Sequence, residues 1–140
     1  MGYRSDVAYK IKFSDEGQWN LFLLEAKSKP ETRLCFEAES LTVVHDQQEI
    51  RFLANDVKWY DHYDDVICHH NLLDLCDEYN ERQEKAFVHS QEVGSITPPW
   101  ASYLFRRLGE QEDDIQDLHG GDPDWDWVEL IRYIRVDWQE

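Results

Sequence analysis

The segment from residue 57 to residue 80 constrains the fold more than any other part of the chain. Its apolar side chains recur at steps of three and four residues, which puts them on one side of a helix that can cover a sheet. No Lys or Arg lies between Lys58 and Arg82, so the other side of this helix is expected to be anionic. We predict a helix over residues 62–80, ending by Gln83, with this buried stripe: Val66, His69, Leu72, Leu73, Cys76 and Tyr79.

The N-terminal part of the chain predicts a strand followed by a second helix. Residues 6–13 alternate, with Val7, Tyr9, Ile11 and Phe13 on one side, which is the period of a half-buried strand. Ser14 or Asp15 can cap the following helix, and Pro30 ends it by Lys29 because the residue before a proline is disfavoured in helical conformation. The expected buried stripe of this helix is Trp19, Phe22, Leu23 and Ala26.

The remaining segments indicate short strands. β-branched and aromatic residues are frequent in them, and a turn at residues 46–48 is placed to join two of them. The first run, residues 33–38, would also suit a helical turn. We predict further strands at residues 33–38, 41–44, 49–54, 85–88, 101–108 and 127–138. This order of elements predicts one α+β domain over residues 1–140, with two helices on one face of a mainly antiparallel sheet that includes both terminal strands.

The acidic composition restricts the partners of the chain. Lys and Arg number 14 against 30 Asp and Glu, a formal net charge of −16. Such a surface repels nucleic acid and anionic membranes and attracts basic proteins. The three cysteines have no close pair in sequence, which is typical of reduced thiols, and the first residues lack a signal-peptide pattern. We expect a cytoplasmic protein.

Three segments resemble a group of small uncharacterised proteins of tailed bacteriophages. They are the opening MGYRSDV, the central VKWYDxYxDV at residues 57–66, and FxRLGExxDDI at residues 105–115. The resemblance implies a compact α+β domain that is an early or accessory phage product acting in the host cytoplasm. It implies no particular activity.

Two groups of residues suggest a metal-dependent enzyme as an alternative. The acidic loop 110–126 contains Asp122, Asp124 and Asp126 and opens like a calcium loop, but Trp127 and Tyr133 stand where glycine and glutamate are needed. The other group is His62, Asp65 and His69, which can meet over the first turns of the central helix, with Cys68 and His70 pointing away. Neither set is complete, so we expect no metal and no cofactor.

The sequence contains no Gly-rich phosphate loop and no GxSxG nucleophile motif. A cysteine can pair with a histidine here only through tertiary contacts. A virion or assembly role has no support from repeats or heptads. We therefore expect a binding protein and not an enzyme.

The binding hypothesis combines charge with aromatic anchors, since rings contribute affinity and carboxylates steer a basic partner. It predicts a basic host protein as the partner, with nucleic-acid-binding proteins among the candidates and nucleic-acid mimicry as one mode of action. The predicted partner-binding residues are Trp59, Asp61, Asp64, Asp65, Asp74, Asp77, Glu78, Asp113, Asp114 and Asp117.

Overall fold

The computed structural model describes residues 4–90, 99–111 and 113–123. It confirms an α+β domain with an antiparallel sheet. The strands are β1 (Ser5–Phe13), β2 (Leu41–Val44), β3 (Glu49–Val57), β4 (Ala101–Leu108) and β5 (Ile115–Gly120). The helices are α1 (Glu16–Ser28), α2 (Pro30–Arg33) and α3 (Asp64–Ser90), with 3-10 turns at Leu34–Glu37 and His45–Gln47.

The sheet is built around the first strand. Its order is β2-β3-β1-β4-β5, and every neighbouring pair is antiparallel. Tyr9 lies opposite Phe52 on β3 and Phe105 on β4. The alternation predicted for β1 is confirmed, because Val7, Tyr9, Ile11 and Phe13 are all buried on the side covered by helices.

Helix α1 begins and ends where its capping residues predict. The side chain of Asp15 accepts a hydrogen bond from the backbone N–H of Gln18 at 2.9 Å, and Lys29 leaves helical conformation just before Pro30. The predicted stripe is confirmed: Trp19, Phe22, Leu23 and Ala26 are buried.

Helix α3 confirms the predicted stripe but not the predicted ends. It starts at Asp64, leaving His62 in the preceding turn, and it continues to Ser90, so the strand predicted at residues 85–88 is wrong. Glu, Gln, Lys and Ala dominate residues 81–86, and all four are strong helix formers. Since neither glycine nor proline follows before Gly94, local propensity extends the helix beyond Tyr79, the last α3 residue in the described core.

Two further predictions are corrected. The run 33–38 forms α2 and a 3-10 turn in place of a strand, so three helices accompany the sheet. The acidic segment after Gly109 is not a simple loop, because it contains β5, an edge strand paired with β4. The strand predicted at residues 127–138 lies outside the described residues.

The main core lies between the sheet and the helices, and α3 contributes Leu72, Leu73, Cys76 and Tyr79 to it. The opposite face of the sheet carries a smaller cluster of Ala8, Leu108 and Leu53. None of the helices in the described part of the chain is long and apolar enough to cross a membrane.

Leu72→Ala should lower the free energy of unfolding by about 2–5 kcal/mol, because it removes a fully buried side chain and leaves a cavity. Leu24→Ala is the matched control, since Leu24 of α1 is 68% exposed, and its effect should stay within about 0.5 kcal/mol. Chemical denaturation of both variants measures the difference. Equal effects would contradict the packing described for α3.

Candidate functional site

Helix α3 presents a row of exposed carboxylates on the side away from the core. Groups three or four residues apart in this row are separated by about 4.5–6 Å along the helix axis, and its two adjacent members by about 1.5 Å. We call this surface the anionic face and define it by Asp74, Asp77, Glu78 and Glu81. Three of these residues belong to the predicted partner-binding set. The structure brings those three together on one rigid element.

The carboxylates of the anionic face repel one another. Burial raises the pKa of Asp77, and the charges of Asp74 and Glu81 raise it further, although hydrogen bonding from Tyr103 opposes the shift. The Tyr103 hydroxyl donates to the Asp77 carboxylate at 3.0–3.1 Å. A positively charged partner would relieve this repulsion.

The basic residues next to the anionic face, Lys29 and Arg82, form ion pairs with nearby carboxylates. Arg82 lies 3.3 Å from Glu25 and 3.7 Å from Glu78, and its guanidinium stands over the ring of Tyr79. Lys29 forms an ion pair with Glu25 at 2.8 Å. Between α2 and α3 lies a groove of about 320 Å³ whose lining includes Lys29, Glu31, Asp74 and Glu78. Its lining contains three carboxylates and one ammonium group.

The predicted residues near the start of α3 form a separate group. Asp61, Asp64 and Asp65 are exposed there, about 15 Å along the axis from the anionic face. Trp59 is only half-exposed, because its ring packs with those of Phe52, His69, His70 and Phe105. The Trp59 ring therefore contributes to the core as well as to the surface.

Two of the three predicted acids around β5, Asp114 and Asp117, form short ion pairs with arginines of β4. Asp114 pairs with Arg107 at 2.7 Å, and Nε and Nη2 of Arg106 donate to the two carboxylate oxygens of Asp117 at 2.5 and 2.7 Å. Asp113 is exposed. Charges held this way link β4 to β5, so they contribute less to long-range attraction of a partner than the anionic face does.

Neither sequence-based metal set is assembled in the described part of the chain. His62 is exposed, stacks with the ring of Tyr60 and meets the ring of Tyr63 edge-on, whereas His69 is buried. Asp122 is exposed just after β5, and Asp124 and Asp126 lie outside the described residues. The group whose ligand atoms do come together is different: Cys35, Cys68 and His69, all within 4.8 Å of one another.

We call these three residues the thiol–histidine cluster. Cys35 lies on the 3-10 turn after α2, while Cys68 and His69 are adjacent on α3, and all three are buried. The expectation that Cys68 points away from His69 is wrong, because the buried side of α3 is wide enough to include both. Sequence reasoning missed Cys35 because 33 residues separate it from Cys68 and no local spacing links them.

The histidine of the cluster is uncharged near pH 7. Burial, reinforced by the neighbouring His70, lowers the pKa of His69 to about 4. Nδ1 of His69 lies 2.6 Å from the hydroxyl of Tyr9 in the middle of the sheet. Hydrogen bonding between the two thiols lowers the pKa of Cys68 and raises that of Cys35. The cluster thus combines a neutral imidazole with a thiol whose deprotonation is favoured by its neighbour.

A cavity of about 310 Å³ adjoins the cluster on the His69 side. Its lining joins apolar residues with a few charged ones, including Lys58, Asp65 and Glu37. Trp59 also lines this cavity, and its buried indole nitrogen has no hydrogen-bond partner among the described residues. The cavity therefore provides both space and polar groups next to His69.

Asp77→Asn should raise the free energy of unfolding by about 0.2–0.5 kcal/mol, because it removes like-charge repulsion while the amide oxygen still accepts from Tyr103. Glu78→Gln is the control: Glu78 faces Arg82, so its neutralisation should bring no gain. Urea denaturation at low ionic strength compares them. A larger gain from Glu78→Gln would contradict the described repulsion.

Stability should depend on pH through His69. Its pKa is lower in the folded chain than the usual 6.5, so its contribution is complete above about pH 6.5 and is lost as the pH falls toward 4, by about 3 kcal/mol. His69→Gln should flatten the fall in unfolding free energy across that range. His62→Gln, which changes an exposed ring, should leave the wild-type slope intact. Identical slopes for the wild type and His69→Gln would refute this assignment.

Comparison of the chain with protein-family models, with curated proteins and with solved structures finds no match.

Proposed function

We propose that this chain is a binding protein that captures a basic protein partner through the anionic face of α3. The observation that supports this proposal is the exposure of Asp74, Asp77, Glu78 and Glu81 in one row on α3. The opposite side of this helix is buried against the sheet. Net charge alone would serve solubility, for which a much smaller value suffices. A row of mutually repelling acids on a rigid element is better suited to meet a complementary surface.

The spacing of the acids favours a partner that normally binds nucleic acid. B-DNA carries one phosphate per about 3.4 Å of axis on each strand. The four carboxylates of the anionic face lie within about 10.5 Å of helix axis, which is close to that density, and the helix fixes their order and spacing. Mimicry of this kind requires a scaffold that loses little entropy on binding, and the tight packing of α3 on the sheet satisfies the requirement.

The biological setting of the proposal comes from the resemblance to phage proteins. An accessory phage protein of this type would act in the host cytoplasm, by host takeover or by counter-defence. Its target would be a basic host protein that handles DNA or RNA. The exposed acids near the start of α3, Asp61, Asp64 and Asp65, would extend the contact surface beyond the anionic face.

The test compares two variants with the same change in charge. The face variant carries Asp74→Asn, Asp77→Asn, Glu78→Gln and Glu81→Gln. The control variant carries Glu16→Gln, Glu37→Gln, Glu39→Gln and Asp46→Asn, all at exposed positions outside the face. Wild type and both variants are used as bait in bacterial lysate at low salt and at 1 M salt.

Proteins captured by the wild type at low salt should be retained by the control variant and lost by the face variant. Duplex DNA should compete for them. With a purified partner, the association rate should fall about 10-fold or more for the face variant at low ionic strength, and the difference should shrink as salt screens the charges. A partner held equally by both variants, and equally in 1 M salt, would overturn the proposal.

A further inference from the structure

The thiol–histidine cluster has the composition of a transition-metal site. Its ligand atoms are two cysteine sulfurs and one imidazole nitrogen, held within 4.8 Å of one another by elements that pack together in the core. Thiolate and imidazole are the donors that zinc prefers, whereas calcium and magnesium prefer oxygen. The donor set therefore points to a soft or borderline cation.

The distances suit zinc after a small contraction. Zinc lies about 2.3 Å from sulfur and about 2.0 Å from nitrogen, so tetrahedral ligand atoms stand about 3.5–3.8 Å apart. The atoms of the cluster are at most 4.8 Å apart, and a shift of about 1 Å or less brings them into place. Rotation of the two cysteine side chains can supply such a shift without moving α3.

We propose that Cys35, Cys68 and His69 bind one Zn²⁺ ion, with the fourth ligand supplied from the adjoining cavity. His69 and Asp65 both line that cavity, so either water or the Asp65 carboxylate has access to this position. Binding replaces the two thiol protons, which are released to solvent, by the cation. Two thiolates, a neutral imidazole and Zn²⁺ sum to zero charge, so the buried site carries no net charge when water is the fourth ligand.

The surroundings of His69 fit this role. A metal-bound imidazole usually has its second nitrogen held by a fixed hydrogen-bonding group, and the Tyr9 hydroxyl stands 2.6 Å from Nδ1. The ring is further packed by Phe52 at 4.4 Å and Trp59 at 5.4 Å between centroids. A bound ion would tie the 3-10 turn after α2 to α3 and through Tyr9 to the centre of the sheet. The proposal does not depend on partner binding by the anionic face.

Cys76 provides a matched control. It is a fully buried cysteine on α3, eight residues after Cys68, and it is not part of the cluster. Chelator-treated, reduced protein is titrated with Co²⁺ and with Zn²⁺ by absorption spectroscopy and calorimetry. The Co²⁺ complex should show sulfur-to-metal charge transfer and the intense visible bands of tetrahedral cobalt at one ion per chain, and Zn²⁺ should displace it.

Cys35→Ser, Cys68→Ser and His69→Gln should each lower Zn²⁺ affinity by more than about 100-fold, beyond the 10–100-fold typical of outer-sphere partners. Cys76→Ser should keep wild-type affinity. Zn²⁺ should also raise the Tm of the wild type and of Cys76→Ser and leave that of the three cluster variants unchanged. Circular dichroism of the metal-free variants checks that each is folded.

The wild-type titration tests the proposal even if a cluster variant does not fold. Absence of a stoichiometric ion in the wild type would overturn it, as would a Co²⁺ spectrum without sulfur charge transfer. An equal loss of affinity in Cys76→Ser would also refute the assignment. The proposal would also be refuted if Cys35 and Cys68 formed a disulfide and the protein still bound no metal after that disulfide had been reduced.

Discussion

The packing of Tyr9 is the interaction on which the rest of the structure depends. Its ring lies on the central strand and stacks with Phe52 at 5.0 Å and Phe105 at 6.2 Å, one on each neighbouring strand. Its hydroxyl reaches His69 of α3. One side chain therefore joins three strands and the long helix, and both candidate sites are positioned by the helix that it fixes. The pKa of this hydroxyl is raised, first by burial, so it remains a neutral hydrogen-bonding group.

Internal ion pairs explain why negative charge is unevenly distributed over the surface of this chain. Glu49 is buried on the outer face of the sheet, with Lys10, Lys12 and Arg51 within 3.5 Å. Burial alone would raise the pKa of Glu49, but hydrogen bonding from Arg51 and the charge of Lys10 outweigh it and hold that pKa below its usual range. Many of the few basic residues are engaged in such pairs. Within the described part of the chain, Asp74, Asp77 and Glu81 have no ion-pair partner, and Glu78 lies 3.7 Å from Arg82.

The two proposals assign different roles to the two sides of α3. The outer side carries charge that would act over a distance of about one Debye length, roughly 8 Å at physiological salt. The inner side carries Cys68 and His69, whose chemistry depends on short distances between buried ligand atoms. A bound ion would strengthen the attachment of α3 to the turn containing Cys35, and a more rigid helix would present the anionic face with a lower entropic cost of binding.

Features that arise from interactions between neighbouring residues could be predicted from the sequence. Alternation in β1, the Asp15 cap, the stop at Pro30 and the apolar stripe of α3 all depend on neighbours within a few residues, and each was confirmed. The exposed acids of α3 follow from the same periodicity. The end of α3 was mispredicted because apolar spacing stops before helix propensity does.

Contacts between segments that are distant in sequence could be identified only in the folded chain. The pairing of β5 with β4 turned part of a predicted loop into an edge strand, with Asp114 and Asp117 bound to Arg107 and Arg106. Cys35 met Cys68 and His69 because the turn after α2 packs on α3. No spacing along the chain predicts these contacts, because they result from how the elements pack around one core. The thiol–histidine cluster could therefore be identified only in the folded chain.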